Sequence, residues 1–322
     1  MTSHILITGA SGFIGQELAA ALLAHDHSLH LILSDVVEPT IPSSAASSSS
    51  RITTSQTDLT SPQDLSALLG SHTWEACYLL HGIMSSGSEA NLELGLRVNL
   101  DSHRACLDYL RNNQPGVKVV FPSSNAVYGP AKPGEMFNES TMPLPQSSYG
   151  TEKFMIELLL NDYSRRGLLD GRIVRLPTVI VRPGAPTAAA SSFASGIVRE
   201  PMKGEKATLP VDKELDMWVC SPRTVVRNLI HVKDVPKESF GLTRLVNLPG
   251  LTVKVRDILD ALEKVGGKEK RNLVIEEKDP VTENIVLSWP TALETSRAFE
   301  LGMAKDVSLE ETVRAFADSL KR

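Results

Sequence analysis

The sequence predicts an α/β fold of the Rossmann type: a doubly wound parallel sheet with a smaller C-terminal substrate-binding portion. Three observations predict it. Short apolar runs alternate with amphipathic stretches through residues 1–177, and such alternation implies right-handed crossovers between parallel strands. The first run opens directly into Gly9-Ala10-Ser11-Gly12-Phe13-Ile14-Gly15, and an acidic residue, Asp35, follows 20 positions after Gly15 at the end of the second run. Strand, glycine turn, helix and acid in that order suit a dinucleotide.

His4 to Thr8 reads as a buried strand, and Gly12 to Ala24 as a helix with Phe13, Ile14, Leu18, Ala21 and Leu22 on its apolar side. Leu29 to Ser34 is the second strand. Ser43 to Ser50 is serine with two alanines, too polar for a core and expected to be a mobile loop. Further strands are expected at 51–56, Ala76–Leu80, Val117–Phe121 and Arg172–Leu176, with helices near 88–113 and 146–166. Beyond residue 177 prolines multiply and the pattern becomes irregular. This part, 178–230 and 248–322, is expected to bind substrate, with 231–247 returning to the unit formed by 1–177.

At 322 residues the chain can bury a substantial core. Its formal net charge of −5 gives no basic character, which argues against a nucleic-acid partner and for a small molecule. Cys77, Cys106 and Cys220 lack metal-ligand spacing, so they are expected to be core thiols and no metal is expected. Met1-Thr2-Ser3-His4 lacks the basic flank of a signal peptide, and no apolar run is long enough to span a bilayer. The expectation is a soluble, cytoplasmic protein without a membrane partner.

The chemistry is signalled by Tyr149-Gly-Thr-Glu-Lys153 at the start of a helix-like run. A phenol and an ammonium four residues apart share a helix face. The cation is expected to lower the phenol's pKa; bringing a tyrosine from about 10 to near 7 corresponds to about 4 kcal/mol. That points to proton abstraction from an alcohol. Tyr128-Gly-Pro-Ala-Lys132 has the same interval, but its glycine and proline make a helix there unfavourable. In the glycine turn, Gly9, Ser11, Gly12, Phe13, Ile14 and Gly15 bring backbone close to a pyrophosphate. Asp35 can hydrogen-bond a ribose diol and would repel a 2′-phosphate, which favours NAD over NADP.

These motifs, together with Asp58, Leu80-His81-Gly82-Ile83, Asn99 and Ser123-Ser124-Asn125-Ala126-Val127-Tyr128-Gly129, resemble the extended short-chain dehydrogenase/reductases. The likeness runs over almost the whole chain. Within that group, Leu94–Asn99, Leu160–Gly167, Arg175–Thr178, Ala190–Ile197 and Ser221–His231 resemble the branch that oxidises the 2-hydroxyl of a sugar acid such as D-erythronate with NAD. The resemblance implies that Ser124 bonds the reacting oxygen, Tyr149 exchanges its proton, Lys153 binds the nicotinamide ribose, and Asn99 supports a proton path. It also implies adenine contacts at Asp58 and Leu59, cofactor contacts at His81, Gly82 and Asn99, and backbone beside the carboxamide from Pro177, Thr178 and Val179. A homodimer built on helices 88–113 and 146–166 is a further implication.

A sugar acid needs a carboxylate partner, and an arginine fork suits it. Arg223 is the first candidate, with surface exposure as the alternative. Ser85, Ser86, Ser191 and Ser192 could bind hydroxyls or cap loops, and Asn125 and Thr178 are expected to face the substrate. The competing readings are an NAD-dependent nucleotide-sugar epimerase and an NAD(H)-sensing protein without catalysis.

Overall fold

A computed structural model describes residues 3–132, 134–187 and 189–321; Met1 and Thr2, read above with the N-terminus, lie outside the described residues. The apolar runs form the strands β1 (Ser3–Thr8), β2 (Leu29–Asp35), β3 (Ile52–Gln56), β4 (Trp74–Leu79), β5 (Lys118–Ser124), β6 (Asp170–Leu176), β7 (Thr178–Val179), β8 (Ala207–Leu209), β9 (Asp216–Cys220), β10 (Leu245–Asn247), β11 (Leu251–Lys254) and β12 (Val274–Glu276). Seven of them make one sheet in the order β10-β6-β5-β4-β1-β2-β3, parallel throughout. The order reverses between β1 and β4, which opens a crevice at their carboxyl ends.

Helices α1 (Phe13–His25), α2 (Pro62–Leu69), α3 (Ser85–Ala90), α4 (Leu92–Gly95), α5 (His103–Asn113), α6 (Ser148–Arg165), α7 (Ser192–Lys203), α8 (Pro222–Asp234) and α9 (Val255–Gly266) flank the sheets. One face of the large sheet buries Leu18 and Leu22 of α1 against Val225 and Leu229 of α8. The other buries Leu65 of α2, Leu107 of α5 and Ile156 and Leu160 of α6. A separate core joins Ile197 and Val198 of α7 to Leu259 and Leu262 of α9 and to Val313 and Phe316. It is built around the short sheet β11-β9-β7 and the pair β12-β8. All three cysteines are buried free thiols.

Two local expectations need correction. Ser43–Arg51 is a 3-10 helix, not a mobile loop. Arg51 donates to the carbonyls of Leu23 and Asp26, each at 3.0 Å, and Ala45 is buried in the core. The anchors lie at the ends of the serine tract, where its composition gives no hint of them. The helical stretch near 88–113 arrives in pieces: α3, α4, a π-helical turn at Leu96–Ser102, then α5.

Candidate active site

A cavity of about 720 Å³ lies at the carboxyl ends of β1, β4, β5 and β6. At one end it is walled by Gly9, Gly12, Phe13, Ile14 and Gly15. Gly9 has φ +64°, and a Cβ there would stand 2.6 Å from the His81 backbone nitrogen, so only glycine lets the turns after β1 and β4 pass so closely. No side chain caps the N-terminus of α1. Its first-turn N–H groups lack intrahelical acceptors, and with the helix dipole they suit a pyrophosphate. The Asp35 carboxylate also faces the cavity, fixed by the backbone N–H groups of Ser11 at 2.9 Å and Val36 at 2.7 Å. Ser11 itself is off the wall: its role in the geometry is to aim Asp35. Together these residues fit a dinucleotide with a free ribose diol. Asp58 and Leu59 line the same end. Bonds from the Thr60 N–H and hydroxyl hold the Asp58 carboxyl below its ordinary range.

His81 and Gly82 form the floor. The His81 ring bridges Thr8 Oγ1 (2.7 Å) and Ser102 Oγ (3.1 Å) and stacks on His103 with centroids 3.8 Å apart. Burial, with the charge of Lys153 added, pushes its pKa down to about 3. It is a neutral floor.

Asn99 departs from expectation. It is fully buried behind the wall, where Oδ1 accepts from the Ile83 N–H (2.7 Å) and the two N–H groups of Nδ2 are shared among the Ile83 carbonyl (2.9 Å), Ser88 Oγ (3.0 Å) and Glu152 Oε2 (2.6 Å). It lies in the π-helical turn, and its polar atoms are consumed by scaffold. A direct cofactor contact or a place in a proton path does not follow from this position.

The reacting end is built by β5 and α6. Ser124 ends β5, and its Oγ accepts from the Ala126 N–H at 3.1 Å. Ser147 caps α6 by accepting from the Gly150 N–H at 3.2 Å, which sets Tyr149 in the first turn. A Cβ on Gly150 would come within 2.5 Å of the Ala126 carbonyl oxygen, so glycine brings the start of α6 against the Ser124-Asn125-Ala126 turn. Ser124, Asn125, Tyr149 and Lys153 all line the cavity. Tyr128, the other tyrosine with a lysine four residues on, is structural: its hydroxyl lies within hydrogen-bond distance of Asn138 O and Asn247 Oδ1, under the Arg175 guanidinium.

The electrostatics correct a second expectation. Lys153 is buried, donates to the Pro122 carbonyl at 3.1 Å, and sits 4.5 Å from the Phe121 ring centroid and 5.8 Å from that of Tyr149. Burial pushes its pKa down to about 8, against the charges of Glu152 and Glu157. Tyr149 is not lowered: burial first, then the charge of Glu152, raises it to about 12, opposed by Arg182. Lys153 spends its charge on a carbonyl and on a ring face, and the carboxylate one residue earlier acts on the phenol in the opposite sense.

Pro177, Thr178, Val179, Ser85 and Ser191 form the remaining wall. Ser85 Oγ is engaged by the Ala190 N–H at 3.1 Å, and Ser192 Oγ by the Thr187 N–H at 3.0 Å. Ser192 and Ser86 lie off the wall, and the hydroxyls of Ser85 and Ser192 hold the backbone at Ala190 and Thr187. Arg223 is exposed and also off the wall. Ser221 and Pro222 start α8, whose apolar face packs on α1, and this turns Arg223 outward. The arginines that do line the cavity are Arg97, Arg182 and Arg199, together with Trp289. None was picked out from the sequence. For Arg182 a signal existed: it precedes Pro183-Gly184, just past a strand at the carboxyl edge. Among the described residues no group of acidic, histidine or cysteine side chains could hold a metal ion, and no helix is long and apolar enough to cross a membrane.

Residues 5–237 match the NAD dependent epimerase/dehydratase family. The chain is 41% identical over 316 residues to the D-erythronate dehydrogenase of Haemophilus influenzae and 41% over 324 residues to that of Cupriavidus necator, spanning 98% of both partners in each case. Among solved structures it superposes on the nucleoside-diphosphate-sugar epimerase from Agrobacterium tumefaciens with a TM-score of 0.89 at 35% identity, covering 98% of this chain and 94% of that one. With that match running through the glycine turn, Asp35, Ser124 and the Tyr149/Lys153 pair, the chain belongs to the NAD dependent epimerase/dehydratase family, and its cofactor is NAD.

Proposed function

We propose that the protein is a dehydrogenase that oxidises the 2-hydroxyl of a D-erythronate-like sugar acid to the 2-oxo acid. One observation carries the reading: Ser124, Tyr149 and Lys153 converge on the cavity that holds the dinucleotide cradle, in a chain 41% identical to two D-erythronate dehydrogenases. NAD, when bound, accepts the hydride. The chain supplies position and proton handling. Ser124 and Tyr149 present two hydroxyls to one oxygen, and each well-placed donor stabilises developing alkoxide by roughly 2–4 kcal/mol. A phenol held near 12 is a donor at rest; to act as a base it must release its own proton as it takes the substrate's. Lys153, brought down to about 8, is the group in the same wall that exchanges protons just above neutrality. Activity should therefore rise with pH through that range.

The likeness to a solved nucleotide-sugar epimerase supports a second reading. The assay that separates them follows NADH with D-erythronate. Appearance of NADH supports the dehydrogenase, UDP-sugar interconversion without net NADH supports the epimerase, and NAD binding with neither supports a sensor.

We also propose a homodimer. Leu92 on α4 and Met155 and Leu158 on α6 are 52%, 44% and 57% exposed, on the helices expected to meet across a two-fold axis. Light scattering on the purified protein tests it, and a monomer at all concentrations would refute it.

A further inference from the structure

Arg175, Arg182 and Arg199 are the arginines set near the reacting end. Arg175 and Arg199 each direct Nε and Nη2, the side-on fork of the guanidinium, at a carboxylate of the chain: Glu157 for the first, Glu200 Oε1 for the second. Arg182 has no such partner. Its Nε and Nη2 are shielded from solvent and make no hydrogen bond, although it lines the cavity beside Tyr149 and is near enough to act on the phenol's charge. A shielded fork without an acceptor costs free energy, and because the Arg182 side chain is only partly buried, turning the fork toward the cavity lets a carboxylate there take two parallel bonds. The backbone holds Arg182 in place from both sides: its N–H donates to Ser195 Oγ at 3.1 Å, and its carbonyl accepts from Arg199 Nη1 at 3.1 Å.

We propose that Arg182 binds the carboxylate of the substrate through this fork and thereby confines the site to acids; the proposal rests on the dehydrogenase reading above. Arg199 backs it as a second positive charge whose own fork is occupied. The carboxylate then stands next to Tyr149, so the hydroxyl presented to the phenol and Ser124 is the one on the adjacent carbon, the 2-hydroxyl.

The test compares D-erythronate with its uncharged amide in the wild type, Arg182→Gln and Arg182→Lys, and measures D-erythronate binding to the NADH-loaded protein by calorimetry. Arg182→Gln should lower kcat/KM for the acid by roughly 100-fold, as expected when a charge-assisted bidentate pair is lost, and collapse the acid-over-amide ratio. Arg182→Lys, which keeps the charge and loses the fork, should fall between and serves if the glutamine variant does not fold. NAD Kd should be retained. An acid-over-amide ratio unchanged in both variants, or a loss of NAD affinity as large as the loss in kcat/KM, would overturn the role of Arg182 alone. Arg182-dependent binding of D-erythronate without NADH formation supports the carboxylate site and overturns the dehydrogenase reading. Neither binding nor oxidation by the wild type overturns both.

Discussion

Asn99 Nδ2 donates to Glu152 Oε2 at 2.6 Å, inside the wall that carries Tyr149. The other oxygen of that carboxylate is buried without a partner. Glu152 stands one residue from Lys153, and its carboxylate raises both Tyr149 and Lys153. Removing it lowers both. In Glu152→Gln the amide oxygen can still accept from Asn99, while the rising limb of kcat/KM against pH should move to lower pH. A limb that stays put or moves upward would refute this coupling.

Tyr149→Phe removes the hydroxyl and leaves the ring and the glycine turn intact. Turnover should fall by roughly 10²–10⁴-fold, the usual range for losing a general acid–base group, with NAD affinity nearly unchanged in a fluorescence titration. Retained turnover would show that the phenol does not exchange the proton.

Gly9→Ala places a Cβ 2.6 Å from the His81 nitrogen at a backbone φ of +64°. The turns after β1 and β4 must part, at a cost of about 1–3 kcal/mol from overpacking. The urea midpoint should drop, and NAD affinity should drop further than in a surface control such as Gly241→Ala, whose added Cβ meets nothing. Equal NAD affinity in the two variants would contradict the proposed cradle.

The amino end of the sheet gathers His4, His30 and His72, with ring centroids 5.7 Å and 4.5 Å from His4 to the other two. Burial first, and then the neighbouring His4, lowers His30 and His72 below the ordinary histidine value, and His81 lies at about 3. A base lowered by folding binds more protons when unfolded, so stability is full above about pH 6.5 and falls as pH drops through that value toward the folded pKa values. Urea midpoints measured from pH 8 to pH 5 should decline, and His72→Gln should flatten the decline. A variant that follows the wild-type curve would remove the cluster from the account.

Much of this architecture was legible because its signals are local. Apolar runs marked the strands, three glycines marked the turn, and the interval from Tyr149 to Lys153 marked one helix face. Ser124 and Asp35 reach the cavity because residues at the carboxyl ends of parallel strands converge there, and Thr178 because it lies two residues past the end of β6. What stayed hidden depends on distant partners. Arg182 and Arg223 both follow strands, and only the path of α8 across α1 turns the second outward. Asn99 sits in a helical stretch where a π turn decides whether its amide meets the cavity or Glu152. The phenol's pKa could not be read from Lys153 alone, because burial raises it first and Glu152 raises it further, while Pro122 and Phe121 engage the ammonium.

β10 joins the large sheet beside β6, although the chain has by then already built α7 and β9 elsewhere. A single cut cannot divide this enzyme into transplantable halves. A chimera that borrows a relative's C-terminal portion would need junctions on either side of Leu245–Asn247, so that the borrowed pieces flank a retained edge strand; a simple C-terminal swap would trade that strand too and leave β6 pairing with a foreign neighbour.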